Sequence, residues 1–139
     1  MKTPPPLPPH LRRKKSPAIT ERRTLRSNNT EEALVLAFDR AVARGQLDAI
    51  LITDDHGQLI SKSRSELDLD LFAAMTPILA RGTAKAKVCR RGVERDFQIS
   101  TLEFSGERLH VAAIGGKDHQ IRTRELTHSL HAAARILAA

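Results

Sequence analysis

The chain has 139 residues, enough for one domain and a short terminal extension. Its 40% of hydrophobic residues can form a packed core, but only four are Phe and none is Trp or Tyr, which argues against aromatic stacking on single-stranded nucleic acid. The single cysteine, Cys89, excludes an internal disulfide and a multi-cysteine metal site, and no apolar segment approaches the length of a membrane span.

The net charge of +7 lies entirely in residues 1–29, which hold eight of the 23 basic residues and one of the 16 acidic residues. The neutral remainder gives no general reason to expect nucleic-acid binding by the fold. The prolines of residues 1–29 favour the polyproline II conformation. They also occupy positions where a secretion signal would need apolar residues. We therefore predict a cytoplasmic protein with a disordered tail over 1–29 and a folded domain over 30–139. The tail residues predicted to dock on a partner are Pro5, Pro8, Arg12, Arg13, Lys14 and Lys15.

A first helix is predicted from Thr30 to Arg44. Asn29 with Glu32 three positions later is the capping-box pattern, and Gly45 fits the left-handed position that often ends a helix. The apolar residues that recur at helical spacing are Leu34, Ala37, Phe38, Ala41 and Val42.

A hairpin follows in the segment LDAILITDDHGQLISKS. The apolar run Ala49–Thr53 is typical of a strand covered on both faces, and the more polar run Gln58–Ser63 of a strand near the sheet edge. Between them, Asp54, Asp55 and His56 precede Gly57, which favours a tight turn over a metal site, because three adjacent side chains cannot all point at one ion.

A second helix is predicted from Leu69 to Arg81, with a cap-like start at Ser65–Asp68 and a bend at Pro77. It is apolar over more than half its circumference, more than one sheet face requires, so it is either a deeply buried core helix or a surface for self-association. The residues predicted for a dimer or partner interface are Leu67, Leu71, Phe72, Met75, Ile78 and Leu79.

Three strands and a long helix complete the chain. The strands are predicted over Ala86–Arg91, Glu94–Phe104 and Leu109–Ile114, the last beside the first strand of the hairpin. In the middle strand the apolar alternation slips by one at Leu102, which suggests a bulge or a strong twist. The final helix is predicted over His119–Ala139.

Residues with chemical potential do not form a recognisable catalytic, cofactor or metal site in the sequence. Gly115-Gly116-Lys117 lacks the spacing of a phosphate loop, and His128 and His131 share a helix face without an acidic partner nearby. Cys89 is expected to be a small buried hydrophobe. The sequence predicts a protein that is not an enzyme.

The element order α-β-β-α-β-β-β-α predicts an α+β domain with a five-stranded antiparallel sheet flanked by three helices. In this order, in the hairpin LDAILITDDHGQLISKS and in the apolar helix LDLDLFAAMTPILARG, the chain resembles the roadblock / dynein light chain family, which includes bacterial partners of Ras-like GTPases. The proline-rich basic tail and Pro77 depart from the family pattern.

The resemblance implies a profilin-like or roadblock-like sheet with the second helix on one face and the other two helices on the opposite face. It also implies a non-catalytic homodimer, with sheets joined edge to edge and second helices in contact. Such a protein would be a scaffold or regulator of a partner such as a small Ras-like GTPase.

Two other functional classes are compatible with the sequence. A PAS- or GAF-type small-molecule sensor also wraps helices around an antiparallel sheet, and it would need an enclosed cavity. Nucleic-acid binding through the basic tail would fall steeply with salt and disappear when residues 1–29 are removed.

Overall fold

A computed structural model describes residues 27–83 and 85–139, and it confirms the predicted order of elements. The predicted docking residues Pro5, Pro8, Arg12, Arg13, Lys14 and Lys15, with most of the predicted tail, lie outside the described residues. The elements are α1 (Ser27–Gly45), β1 (Ala49–Asp54), β2 (Leu59–Lys62), α2 (Leu69–Ala80), β3 (Lys85–Arg90), β4 (Val93–Phe104), β5 (Glu107–Ile114) and α3 (His119–Ala138).

The five strands form one antiparallel sheet in the order β2-β1-β5-β4-β3. β1 and β5 are neighbours, as predicted, with Ile50 opposite Ala113 and Ile52 opposite Val111. Both strands are almost entirely buried because helices cover both faces of the sheet at this point. β2 lies at one edge, as its polarity indicates, and β3 lies at the other.

The helices divide between the two faces as the resemblance implies. α1 and α3 pack on one face, where Leu34, Phe38 and Leu126 meet Ile50 and Ile52. On the opposite face α2 packs on Leu51, Val88, Phe97, Ile99 and Ala112 through Phe72 and Leu69. The rings of Phe72 and Phe97 meet edge to face with their centroids 5.5 Å apart. In the part of the chain that the structure describes, no helix is long and apolar enough to cross a membrane.

The first helix differs from its prediction at both ends. It begins at Ser27 rather than Thr30, and its last residue is Gly45. The left-handed conformation belongs to Gln46, with a φ of 54°, so the prediction for Gly45 was wrong. Gly45 is instead closely packed, because a Cβ there would lie 3.0 Å from Cγ of Glu125 on α3 and 3.1 Å from Cγ of Leu47.

β4 contains no bulge where the sequence suggested one. Its pairing with β5 is continuous from Phe97 to Phe104, and the register shift in the sheet falls between Ile52 and Thr53 of β1. Phe97 belongs to the core beneath α2, whereas Leu102 and Phe104 pack toward α1 and α3. The slipped alternation therefore marks a change in which face of a regular strand carries the apolar contacts.

Cys89 is exposed, which contradicts its prediction as a buried residue. α1 and α3 pack over β2, β1, β5 and β4, but the outermost strand β3 extends beyond them. The residues of β3 that alternate toward this face, Lys85, Lys87 and Cys89, are consequently all exposed.

Candidate protein interface

α2 crosses its face of the sheet from the β3 edge to the hairpin turn. At its start, the Asp68 side chain accepts a hydrogen bond from Asp70 N (3.2 Å) and lies 3.8 Å from Arg90 of β3. Beyond its end, Nη2 of Arg81 donates to the carbonyl oxygen of Asp55 in the turn between β1 and β2 (3.1 Å). Contacts at both ends thus fix the direction of the helix on the sheet.

The inner side of α2 is part of the hydrophobic core. Phe72 is 2% exposed, and Leu69, Ala73, Thr76 and Pro77 are also buried. The Thr76 hydroxyl donates to the carbonyl oxygen of Phe72 (2.7 Å), so its polar atom is satisfied within the helix. The helix continues through Pro77 to Ala80.

The outer side of α2 carries an exposed apolar surface. Ile78 is 65% exposed and Leu71 is 39% exposed, Ala74 is exposed, and Met75 is half-buried. Their spacing of three, four and seven residues places them on one side of the helix, and we call these four residues the outer stripe. Among the described residues, no second layer of structure covers the outer stripe, since α2 is the one helix on this face.

The six residues predicted for an interface therefore separate into two groups. Leu71, Met75 and Ile78 lie in the outer stripe, and Phe72 lies in the core. Leu67 and Leu79 are half-buried and pack against the same core as Phe72, and Met75 contacts this core as well as lying in the outer stripe.

A polar cluster secures the C-terminal end of α2. Nε2 of His110 donates a hydrogen bond to the Asp55 carboxylate (2.8 Å). The guanidinium groups of Arg108 and Arg81 lie 3.5 and 3.6 Å from the same carboxylate. The His110 hydrogen bond lowers the pKa of Asp55 against a smaller cost of desolvation, and the charges of Arg108 and Arg81 add to the effect. The other ring nitrogen of buried His110 bonds to Thr101 (2.8 Å). The cluster connects the hairpin turn, two strands and α2.

Sequence reasoning assigned the acidic residues of this turn to turn formation alone. That role is confirmed for Asp54, whose side chain accepts hydrogen bonds from the backbone N–H groups of His56 and Gln58, both at 2.9 Å. The link from Asp55 to His110 was missed. The available signal was His110 itself, a titratable residue in an otherwise apolar strand that aligns with Thr53 of β1.

The edge strand β3 adds unpaired main-chain hydrogen-bonding groups to this region. β3 pairs with β4 along one side, and no other strand in the described ranges pairs with its second side. An unpaired edge offers N–H and C=O groups to another strand. The ion pair between Asp68 and Arg90 places the N-terminal end of α2 near this open edge.

Within residues 27–83 and 85–139, no group of three or more His, Cys, Asp or Glu side chains is arranged to hold a metal ion. His128 and His131 are exposed on α3, but the expectation that no acidic residue lies near them was wrong for His128, whose Nδ1 is 3.9 Å from the Glu125 carboxylate. Two clefts, of about 280 and 340 Å³, are open to solvent, one between β3, β4 and the start of α3 and the other between α1 and β2. Neither is the enclosed cavity that a small-molecule sensor would need.

No protein-family model and no curated protein matches the chain. Solved structures of MglB do match it. Myxococcus xanthus MglB aligns with a TM-score of 0.56 and 14% identity over 77% of this chain and 89% of that one. The gliding protein MglB of Thermus thermophilus aligns with a TM-score of 0.59 and 13% identity over 78% and 91%.

A third structure, described as MglB with a tetrameric arrangement, aligns with a TM-score of 0.55 and 15% identity over 78% of this chain and 90% of that one. The chain therefore has the roadblock-like fold of MglB, with α2 on one face of the five-stranded sheet. This confirms the resemblance in its fold, and at such identities the likeness concerns the fold alone.

Proposed function

We propose that this chain is a non-catalytic protein-interaction module that forms a homodimer and acts as a scaffold or regulator of a partner such as a small Ras-like GTPase. The observation that carries the proposal is the outer stripe: Leu71, Ala74, Met75 and Ile78 form an apolar surface on a helix that already has its own buried side. A helix with apolar residues on both sides gains stability when a second surface covers the outer one.

A second copy of the chain is a suitable cover for this surface. In a twofold dimer the same stripe is buried once on each copy, so a short stripe contributes twice. The open edge of β3, near the start of α2, can in addition extend the sheet across the dimer through main-chain hydrogen bonds. This arrangement also protects the β3 edge from unspecific pairing. The tetrameric arrangement described for one MglB structure supports assembly as a property of this fold.

The state of association tests this part of the proposal. Sedimentation equilibrium of the full chain at micromolar concentrations should give twice the chain mass of 15.4 kDa. A single-chain mass that persists at the highest attainable concentration would contradict the homodimer.

The GTPase partner is supported by the fold that the chain shares with MglB and by its resemblance to a family that includes bacterial partners of Ras-like GTPases. Ras-like GTPases are cytoplasmic, and the proposal includes that location. The test is titration of the full chain with a Ras-like GTPase from the same genome, loaded with GDP or with a non-hydrolysable GTP analogue. We expect binding that depends on the nucleotide. Equal absence of binding in both states would remove the GTPase and leave the homodimer standing.

A further inference from the structure

A polar cleft of about 280 Å³ opens where β3 and β4 meet the first turns of α3. It exists because the helices on this face end at β4, which leaves the side chains of β3 uncovered. We call it the β3–α3 cleft, and its charged and polar lining consists of Lys85, Lys87, Asp96, Gln98, His119 and Arg122.

Arg122 forms the buried part of this lining, with 6% of its side chain exposed. Its Nη1 donates to the carbonyl oxygens of Gly115 (3.1 Å) and Gly116 (3.3 Å), and its Nε donates to Oε1 of Gln98 (3.2 Å). Its Nη2 lies 3.4 Å from Nδ1 of His119, so neutral groups hold the guanidinium in place and Asp96, 3.6 Å away, is the one carboxylate paired with it in the described part of the chain. A positioned and largely desolvated cation at the wall of a cleft favours a bound anion.

Asp96 is the one carboxylate in the described lining, and it is already engaged. Its Oδ1 accepts from Nζ of Lys87 (2.9 Å), and its Oδ2 lies 3.6 Å from Arg122. The Lys87 hydrogen bond lowers the pKa of Asp96 against partial desolvation, and the charge of Arg122 adds to it. Asp96 therefore stays ionised at neutral pH and offsets one of the positive charges.

The net charge of the side chains that line the cleft is positive. Among the lining side chains, Lys85, Lys87 and Arg122 stand against Asp96, which is an excess of two positive charges with His119 counted as neutral; Glu94, outside the lining, also acts on Lys87. Lys85 forms no ion pair with a carboxylate in the described part of the chain. The first free N–H groups of α3 are occupied by Asp118, so side chains rather than the helix end supply the attraction.

We propose that the β3–α3 cleft binds a small phosphorylated molecule through its phosphoryl group. A phosphoryl dianion matches the charge excess, and Arg and Lys together are common phosphate ligands. The cleft lies just below the usual size range of pockets for drug-sized ligands, about 300–1,000 Å³, which suits a phosphate monoester better than a whole nucleotide. This inference does not depend on dimerisation or on a GTPase partner.

The test is a ¹H–¹⁵N chemical-shift titration of the full chain with inorganic phosphate at constant ionic strength, with acetate as the comparison anion. We expect saturable shifts at the amides of Lys87, Gln98 and His119. Lys85→Gln removes one unpaired charge and should weaken phosphate binding about fivefold, and Asp96→Asn should strengthen it by a similar factor. Lys62→Gln is the matched control, because it removes the same charge at the opposite edge of the sheet, and its affinity should equal that of the wild type.

Several results would overturn the proposal. Shifts that grow without saturation, or that acetate reproduces with equal affinity, would show that the cleft does not select a phosphoryl dianion. Equal weakening by Lys62→Gln and Lys85→Gln would show attraction by net charge alone. Circular dichroism of each variant confirms that the fold is retained.

Discussion

Replacement of Ile78 by alanine should weaken the dimer and leave the protomer folded. Ile78 is 65% exposed in the protomer, so most of its apolar surface is available for association. Complete burial of an isoleucine side chain contributes about 1.5–3 kcal/mol, and the exposed part corresponds to about 1–2 kcal/mol per copy. A twofold interface contains the residue twice. The predicted loss is therefore about 2–4 kcal/mol, which raises the dissociation constant about 30- to 1,000-fold.

Sedimentation equilibrium over a concentration series measures this dissociation constant, and urea unfolding measures the stability of the protomer. Leu36→Ala is the matched control, because Leu36 is 42% exposed on α1, on the opposite face of the sheet, and loses the same kind of side chain. It should leave the dissociation constant within about twofold of the wild-type value. If Ile78→Ala and Leu36→Ala weaken association equally, or if neither does, the outer stripe is not the contact surface.

Three further predictions concern the stability of the folded protomer. Phe72→Ala should lower the free energy of unfolding by about 3–5 kcal/mol at every protein concentration, and a loss confined to dimerisation would place Phe72 in the interface instead. Burial opposes ionisation of Glu125, but hydrogen bonds from arginine side chains outweigh it and lower its pKa below the ordinary 4.5. The resulting stabilisation is present above pH 4.5 and is lost as the pH falls through the folded-state pKa. Glu125→Gln should therefore reduce the fall of the unfolding free energy between neutral and acidic pH. An unchanged fall would refute this. A Cβ on Gly57 would lie 3.1 Å from Cα of Ala74 on α2, whereas Gly92 has a similar φ and no described neighbour within 4 Å. Gly57→Ala should therefore cost at least about 1 kcal/mol more than Gly92→Ala in urea unfolding, and equal costs would show that the turn can move away from the helix.

The order of elements and the central strands were predictable because they depend on local patterns. Apart from Thr53 and His110, the runs Ala49–Thr53 and Leu109–Ile114 are apolar on both faces, and a position in the middle of a doubly covered sheet suits such runs. Periodicity of 3.6 likewise identified the inward side of α1. In these segments the hydrophobic pattern and the tertiary environment agree, so the sequence alone was sufficient.

Which side of α2 faces the sheet could not be predicted from the local pattern. A helix that is apolar on most sides has no pattern that distinguishes the side facing the sheet, and Phe72 and Leu71 were equivalent candidates. Packing separates them: Phe72 meets the ring of Phe97 on β4, while Leu71 points away. The choice depends on a partner in a distant strand, which no local window contains.

The polar cluster and the Gly45 contact illustrate the same limitation. Asp55 and His110 are 55 residues apart and meet because β1 and β5 pair in a particular register. Gly45 has the sequence position of a capping glycine, but in the structure it packs closely against Glu125 on α3 and against Leu47. Contacts of this kind follow from strand register and helix packing, so they become visible only when the elements are assembled.

The most direct test of the central claim is an isotope-filtered NOE experiment on a mixture of methyl-labelled and unlabelled chains, which detects contacts between different copies only. If the outer stripe covers a second copy of itself, the Ile78 δ-methyl group should show intermolecular NOEs to methyl groups of Leu71, Met75 or Ile78. Intermolecular NOEs that involve Leu36 and none of the outer stripe, at a concentration where the mass is that of a dimer, would contradict the account.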